Sequence, residues 1–208
     1  MIVDEAQSGL CRTGRWFAIE PLDVVPDITA TSKSLGGGVP LCGVTTTPEI
    51  ADRVAELGYH DSSLHIDDPF LTAVGLANIE ILEEDNLVHN ADAMCHYLKE
   101  AVEKLQAEHE LLGDVCGLGL MIGLGLVVVK TSRTPTPLHA GTISQYRPDR
   151  GVLLRHRPSG IISGNLIRIL PPLILNHQEN NEVIAVFKAA LVHVHAEKTA
   201  KIDAEGST

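Results

Sequence analysis

Ile2-Val3-Asp4-Glu5-Ala6-Gln7-Ser8-Gly9, closed by Arg12-Thr13-Gly14, and Thr31-Ser32-Lys33-Ser34-Leu35-Gly36-Gly37-Gly38 are the two stretches whose reading decides the fold. In the first, two β-branched residues read as the end of a buried strand, with a carboxylate directly behind them. The carboxyl end of a strand in an open α/β sheet is where such sheets bind ligands. An acid buried there needs a cation or hydrogen-bond donors, or it would take up a proton. In the second stretch, Asp27 to Thr31 reads as a short strand and Lys33 follows it, ahead of a glycine turn that no regular element tolerates. A lysine so placed projects into a crevice, and its amine becomes a nucleophile once burial or a nearby cation lowers its pKa. The glycines follow the lysine, so this is not a Walker A loop. Nor is Gly117-Leu118-Gly119 a dinucleotide fingerprint, because Ile122 occupies the place of the third glycine.

Outward from these stretches, the pattern is α/β. Leu41 to Thr46 reads as a strand, and Pro48 opens a short helix. Asp68-Pro69 opens a second helix, ending at Glu83-Glu84-Asp85. A third, near Asn86 to Glu110, stacks Ala91, Met94, Leu98, Val102 and Leu105 on one face as core. Val115 to Val129 alternates glycine with aliphatics and reads as a pair of strands, followed by a polar loop from Thr131 to Pro137. Gly151 to Leu154 and Leu166 to Leu170 read as further strands, and Gln178 to Glu197 as a closing helix. The early half alternates strand and helix, while the later half reads as a smaller α+β unit. The expected division is a large-domain portion over residues 1–85, a linking helix and small domain over 86–200, and a frayed tail over 201–208. Because Ile2 and Val3 begin within a core element, sequence upstream of Met1 is expected.

The bulk numbers exclude several classes of function. The chain has 208 residues, 44% of them hydrophobic, enough for a substantial core. Its formal net charge of −11 argues against nucleic-acid binding, which needs clustered Lys and Arg. Cys11, Cys42, Cys95 and Cys116 form no Cys-x-x-Cys pair and stand beside no histidine at zinc spacing, so reduced thiols and no metal are expected. Met1 is followed by Ile-Val-Asp rather than a basic and apolar leader. The longest apolar run, Gly117 to Val129, is too short and too rich in glycine to span a bilayer. A cytoplasmic protein without membrane contact is the expectation. A hydrolase reading of the Asp4–Glu5 pair lacks an adjacent nucleophile–base couple.

Taken together, the Asp-Glu-x-Gln-x-Gly-x-x-Arg-Thr-Gly run, Pro26-Asp27-Ile28 and Lys33-Ser34-Leu35-Gly36-Gly37-Gly38-Val39-Pro40-Leu41 resemble the cofactor region of class III, fold type I aminotransferases. The resemblance continues through Asp68-Pro69, Gly113-Asp114-Val115, Gly119 to Gly123 and Arg168-Ile169-Leu170-Pro171-Pro172, and reaches about Val194. Glu56 to Tyr59 and His65 to Pro69, with Ala73 to Leu76, are most similar to the 2,2-dialkylglycine decarboxylase branch. The resemblance implies part of a mostly parallel large-domain sheet with a C-terminal α+β small domain. It implies pyridoxal 5′-phosphate carried on Lys33, whose amine then moves a proton. Asp4 would pair with the pyridine nitrogen, Gln7 with the phenolic oxygen, and Ala6 would pack under the ring. Arg168 would grip a substrate carboxylate. The implied substrates are an amino acid or amine and an oxo acid, and the implied assembly is a homodimer.

Leu64 stands where the family carries a threonine that reaches the cofactor phosphate, so Ser63 is the expected substitute. Cys116 and Leu118 stand where two arginines are usual. The family's phosphate-cradling Gly-Ser turn and ring-stacking aromatic precede the Asp4 segment. An aminotransferase-fold remnant with weak or no cofactor binding is therefore the alternative expectation.

Overall fold

The structure, a computed structural model, describes residues 1–60, 64–146, 151–152, 154–156 and 164–205. The chain divides into two compact units, Met1–Asp92 and Ala93–Thr208.

The first unit contains a three-stranded sheet in the order β1-β2-β3, with β1 Ile2–Asp4, β2 Ile28–Thr31 and β3 Gly43–Thr46. β1 and β2 are parallel, with Asp4 opposite Ala30, whereas β2 and β3 are antiparallel. These three strands thus contribute one parallel and one antiparallel pairing to a sheet expected to be mostly parallel. Leu41 and Cys42 precede β3 instead of belonging to it. Ile2, expected to be buried, is 73% exposed, because β1 is an edge strand of this sheet.

Two helices follow, α1 Pro48–Glu56 and α2 Pro69–Glu84. Each begins at the expected Pro in its first turn, where a missing N–H costs nothing. Thr47 and Asp68 cap them through side-chain oxygens that accept from Ile50 N–H and Phe70 N–H. α3, Leu87–Glu108, carries the expected stripe, and all five residues from Ala91 to Leu105 on that face are buried. The unit boundary falls inside α3, after Asp92.

The second unit is built on a four-stranded sheet in the order β4-β5-β7-β6, antiparallel throughout. β4 is Leu112–Leu118, β5 Met121–Leu126, β6 Arg155–His156 and β7 Leu166–Ile169. Strand period sets its two faces. Ile122, Leu124 and Leu126 of β5 and Ile167 and Ile169 of β7 point into the core, while Gly123, Gly125 and Arg168 occupy the intervening positions. Leu98 and Val102 of α3 pack into this core with Ala140 and Ile143 of α4 (Pro137–Gln145). Phe187, Leu191 and Val194 of the closing helix α5 complete it. Each such side chain contributes about 1.5–3 kcal/mol by leaving water, so this cluster is the principal stabilising feature of the unit.

Three expectations need correction here. α4 was not anticipated, because Leu138, Ala140 and Ile143 give too few apolar positions to define a period. Gly151, Val152 and Leu154 are not strand, and pairing begins only at Arg155; Gly151 has φ of +75°, which takes the chain out of an extended path. α5 spans His177–Glu205, beyond the expected end at Glu197. All four cysteines are free thiols, as expected from their spacing. Among the described residues, no helix is long and apolar enough to cross a membrane. No cluster of metal-ligating side chains occurs among them either.

Candidate active site

The parallel pairing of β1 and β2 brings the two chemically informative stretches to the carboxyl ends of neighbouring strands. Asp4 ends β1 opposite Ala30, and Glu5 N–H extends the ladder by donating to Ala30 O at 2.8 Å. Lys33 lies three residues beyond Ala30 in the same strand direction. With a strand spacing of about 4.8 Å and at most ~3.6 Å per residue, the two Cα atoms are no more than roughly 16 Å apart. Two side chains and one heterocyclic ring can bridge that span.

Neighbouring backbone fixes each group. Asp4 Oδ1 accepts from Ala6 N–H at 2.9 Å, which sets the carboxylate at the rim of the following loop. Lys33 has φ of +46°, a left-handed conformation rare for a non-glycine residue, directly after the extended Ser32. Such a residue costs on the order of 1–3 kcal/mol and persists only where its surroundings over-determine it. The Lys33 ammonium is exposed and has no hydrogen-bond or ion-pair partner among the described residues. The Asp4 carboxylate is exposed as well and has no cationic partner among them. Ala6 and Gln7 are half-buried in the loop between these groups and the buried Gly9.

Glu5 performs a different task from its neighbour. It is 2% exposed; Oε1 accepts from Ile19 N–H at 3.0 Å and Oε2 accepts from the Ser8 hydroxyl. One carboxylate therefore ties both ends of the 6–19 loop to the sheet, while Asp4 faces outward, so the pair does not act as two acids on one substrate. Within the loop, Cys11 is fully buried; burial pushes its thiol up to about 11, against the opposing pull of the Arg12 guanidinium. The Glu5→Leu chain should lose about 2–6 kcal/mol, since Ile19 N–H and the Ser8 hydroxyl each lose an acceptor at ~1–3 kcal/mol. Urea unfolding checks this, and a loss below 1 kcal/mol would show that the loop does not depend on Glu5.

A second feature of the first unit is a cleft of about 530 Å³ lined by Pro40 to Val44, His65 to Asp68, Leu71 and Thr72. Its polar edge is the His65 Nδ1–Asp68 Oδ2 contact at 3.3 Å. The Phe70 N–H, and after it His65, hold the Asp68 carboxyl below the usual range. Neither Asp4 nor Lys33 lines this cleft. Leu64 beside it is 93% exposed. Ser63 lies outside the described residues.

Arg168 belongs to the second unit. It sits on β7 opposite Gly123 of β5, on the sheet face turned away from the core. It helps line a cleft of about 430 Å³, together with Glu179, Glu182 and the Leu170–Pro172 turn. The residue opposite Arg168 on β5 is a glycine, and a Cβ there would meet Cys116 Sγ at 3.2 Å and Leu166 Cδ1 at 3.3 Å.

Residue-by-residue reasoning missed Asn78 and Gly75 of α2, which pack on the Lys33 turn. Asn78 Nδ2 donates to Ser34 O at 2.7 Å, and a Cβ on Gly75 would stand 2.4 Å from Leu41 Cδ2. An asparagine three residues after a glycine on one helix face was the available signal.

Comparison with known proteins is consistent with this geometry. The model of the class-III aminotransferase family matches residues 1–191. The leucine/methionine racemase of Thermococcus litoralis is 37% identical over 194 residues, covering 93% of this chain and 42% of the relative. The mitochondrial alanine–glyoxylate aminotransferase 2 homolog 2 of Arabidopsis thaliana is 39% identical over 172 residues, 83% of this chain and 35% of its own length. Among solved structures, a transaminase from the marine bacterium Virgibacillus superimposes with a TM-score of 0.84 at 28% identity, covering 94% of this chain and 45% of that one. The chain therefore spans less than half the length of these relatives. Its sequence and its fold place it in the class III aminotransferase family.

Proposed function

We propose that this chain carries the ring-binding half of a pyridoxal-phosphate-dependent transaminase site, acting on an amino acid or amine and an oxo acid. The observation that supports this most directly is the arrival of Asp4 and Lys33 at the carboxyl ends of adjacent parallel strands, neither with an ion-pair partner among the described residues. The donor set suits the cofactor's ring end. A carboxylate held by Ala6 N–H suits a protonated pyridine nitrogen, a free amine suits the aldehyde carbon, and the small Ala6 leaves space for a flat ring. When bound, the cofactor supplies an electron sink for the bond broken at the substrate's Cα.

The chain's own residues would do the rest. Lys33 Nζ would hold the cofactor and then carry the Cα proton as general base. Asp4 would keep the ring nitrogen protonated, and Gln7 would donate to the phenolic oxygen. Ser63 is proposed for the phosphate contact that Leu64 cannot make. Arg168 would take the substrate carboxylate in a bidentate fork, which the point charge of a lysine would do poorly. The names of the relatives cover amino transfer and racemisation. Both begin by labilising a bond at Cα, and the proposed roles of Lys33 and Asp4 serve either. The run His65-Ile66-Asp67-Asp68-Pro69 supports a dialkylglycine-type decarboxylating branch as the finer reading. A homodimer in the cytoplasm is part of the same proposal.

A second reading is favoured by the exposed Leu64, whose side chain has no hydrogen to donate to a phosphate. On that reading the chain keeps the fold and binds the cofactor weakly or not at all. Incubation with pyridoxal phosphate, borohydride reduction and peptide mapping separate the two. A pyridoxyl group concentrated on Lys33 supports the transaminase reading, and labelling of Lys33 no greater than that of surface lysines supports the remnant. A further expectation concerns Arg168→Ala, which should raise KM for carboxylate substrates several-fold or more while Lys33 labelling is unchanged. Loss of Lys33 labelling in that variant would mean that Arg168 serves the cofactor and not the substrate.

A further inference from the structure

The left-handed backbone of Lys33 begins a 3-10 turn, Lys33–Gly36, that is closed by Gly37 N–H donating to Ser34 O at 3.3 Å. α2 approaches this turn closely. Asn78 Nδ2 reaches Ser34 O at 2.7 Å and Leu35 O at 3.4 Å, so one side chain supplies both of its hydrogens to consecutive carbonyls of the turn. The approach depends on two glycines. A Cβ on Gly37, at φ of +58°, would stand 2.9 Å from Asn78 Oδ1, and one on Gly75 would stand 2.4 Å from Leu41 Cδ2 and 3.5 Å from Leu35 O. Gly75 and Asn78 lie on one face of α2, three residues apart, and that face receives the turn. The contact spans 44 residues of sequence, so it is tertiary and not a local cap.

We infer that Asn78 is the positioning residue for Lys33: it holds the carbonyls of the Lys33 turn to α2 and so fixes the direction in which the amine leaves the carboxyl end of β2. This rests on the proposed role of Lys33. Two carbonyls presented to one side chain call for a double donor. Aspartate has the shape and no donor, and leucine has similar bulk with neither donor nor charge. Without the amide, the left-handed residue has fewer partners holding it, and relaxation of φ toward ordinary values would swing the amine away from Asp4.

The test uses the full chain and pyridoxal phosphate. After borohydride reduction, the pyridoxyl fraction on Lys33 is compared with that on Lys99, Lys104 and Lys188 across a pH series. Asn78→Asp and Asn78→Leu are each expected to lower Lys33 labelling several-fold and to move its pH midpoint, leaving the other lysines as they were. Ala77→Gly, which weakens α2 through helix propensity without touching the turn, is expected to leave both readouts unchanged. The inference is overturned if folded Asn78→Asp and Asn78→Leu label Lys33 as the parent does and with the same midpoint. It is overturned equally if Ala77→Gly has the same effect as they do, since the role is then only structural. If Lys33 of the unsubstituted chain labels no more than the three reference lysines, the transaminase reading itself fails and this inference with it, before any variant is compared.

Discussion

Lys33→Ala is expected to eliminate the borohydride-trapped pyridoxyl group above the level carried by surface lysines and to lower any amino transfer by about 10²–10⁴-fold, the usual share of a positioned general acid–base. Loss of the covalent attachment point adds to that. The same substitution should change thermodynamic stability by less than about 0.5 kcal/mol, the ordinary range for an exposed side chain away from special features. Lys33 is exposed, and its ammonium has no partner among the described residues, so the folded state loses no contact when the amine is removed. Alanine at φ of +46° keeps the backbone cost already present with lysine. A large effect on cofactor attachment combined with a negligible effect on unfolding in urea is the signature of a residue kept for chemistry. Attachment persisting in the Lys33→Ala chain would place the cofactor on another amine, and the role assigned to Asp4 would then have no basis. Equal losses of attachment and stability would make Lys33 a folding residue instead.

Much of this arrangement is legible in the sequence, for identifiable reasons. The strand before Lys33 and the helix starts at Pro48 and Asp68-Pro69 depend on local chemistry, and so appear where Pro, Asp and β-branched residues stand. The stripe from Ala91 to Leu105 is a 3.6-residue period that no strand could use, and the structure buries all of it. Three things are not local and did not show. The edge position of β1 is a property of the sheet order, and Ile2-Val3 looks the same in an edge strand as in a central one. α4 has short-range signals too weak to stand alone, and Ala140 and Ile143 become core only through packing on β5, β7 and α5. The bond from Asn78 to Ser34 joins residues 44 apart, and an asparagine within a helix carries no indication of which carbonyl it will meet. The separate tasks of Asp4 and Glu5 were likewise hidden. Adjacent strand residues point to opposite sides, but which side would be covered by the 6–19 loop is decided by Ile19 and Ser8 arriving at the Glu5 carboxylate.

Gly117→Ala is expected to cost the second unit at least about 4 kcal/mol, a large part of the 5–15 kcal/mol that stabilises an ordinary domain. Gly117 has φ of +133°, and an added Cβ would lie 2.1 Å from Met121 O and 2.9 Å from Ile122 Cα. Both neighbours are backbone atoms of β5, so no side-chain rotation relieves the contact. Gly117 pairs with Ile122 and Leu118 with Met121, at the closed end of the β4–β5 hairpin. Relief therefore requires the strands to separate at the point where their register is set, and a register slip would turn Ile122, Leu124 and Leu126 out of the core. The Gly117-Leu118-Gly119 run, which fails as a nucleotide motif, thus has a steric reason to be glycine. Gly151→Ala supplies the control. Gly151 also has positive φ, +75°, but no described residue lies within 4 Å of its added Cβ, so the expected loss is the backbone preference of about 1–2 kcal/mol. Urea midpoints for the two variants should therefore differ widely. Equal midpoints would mean that backbone preference alone governs both sites and that the hairpin can move aside without disturbing the core behind it.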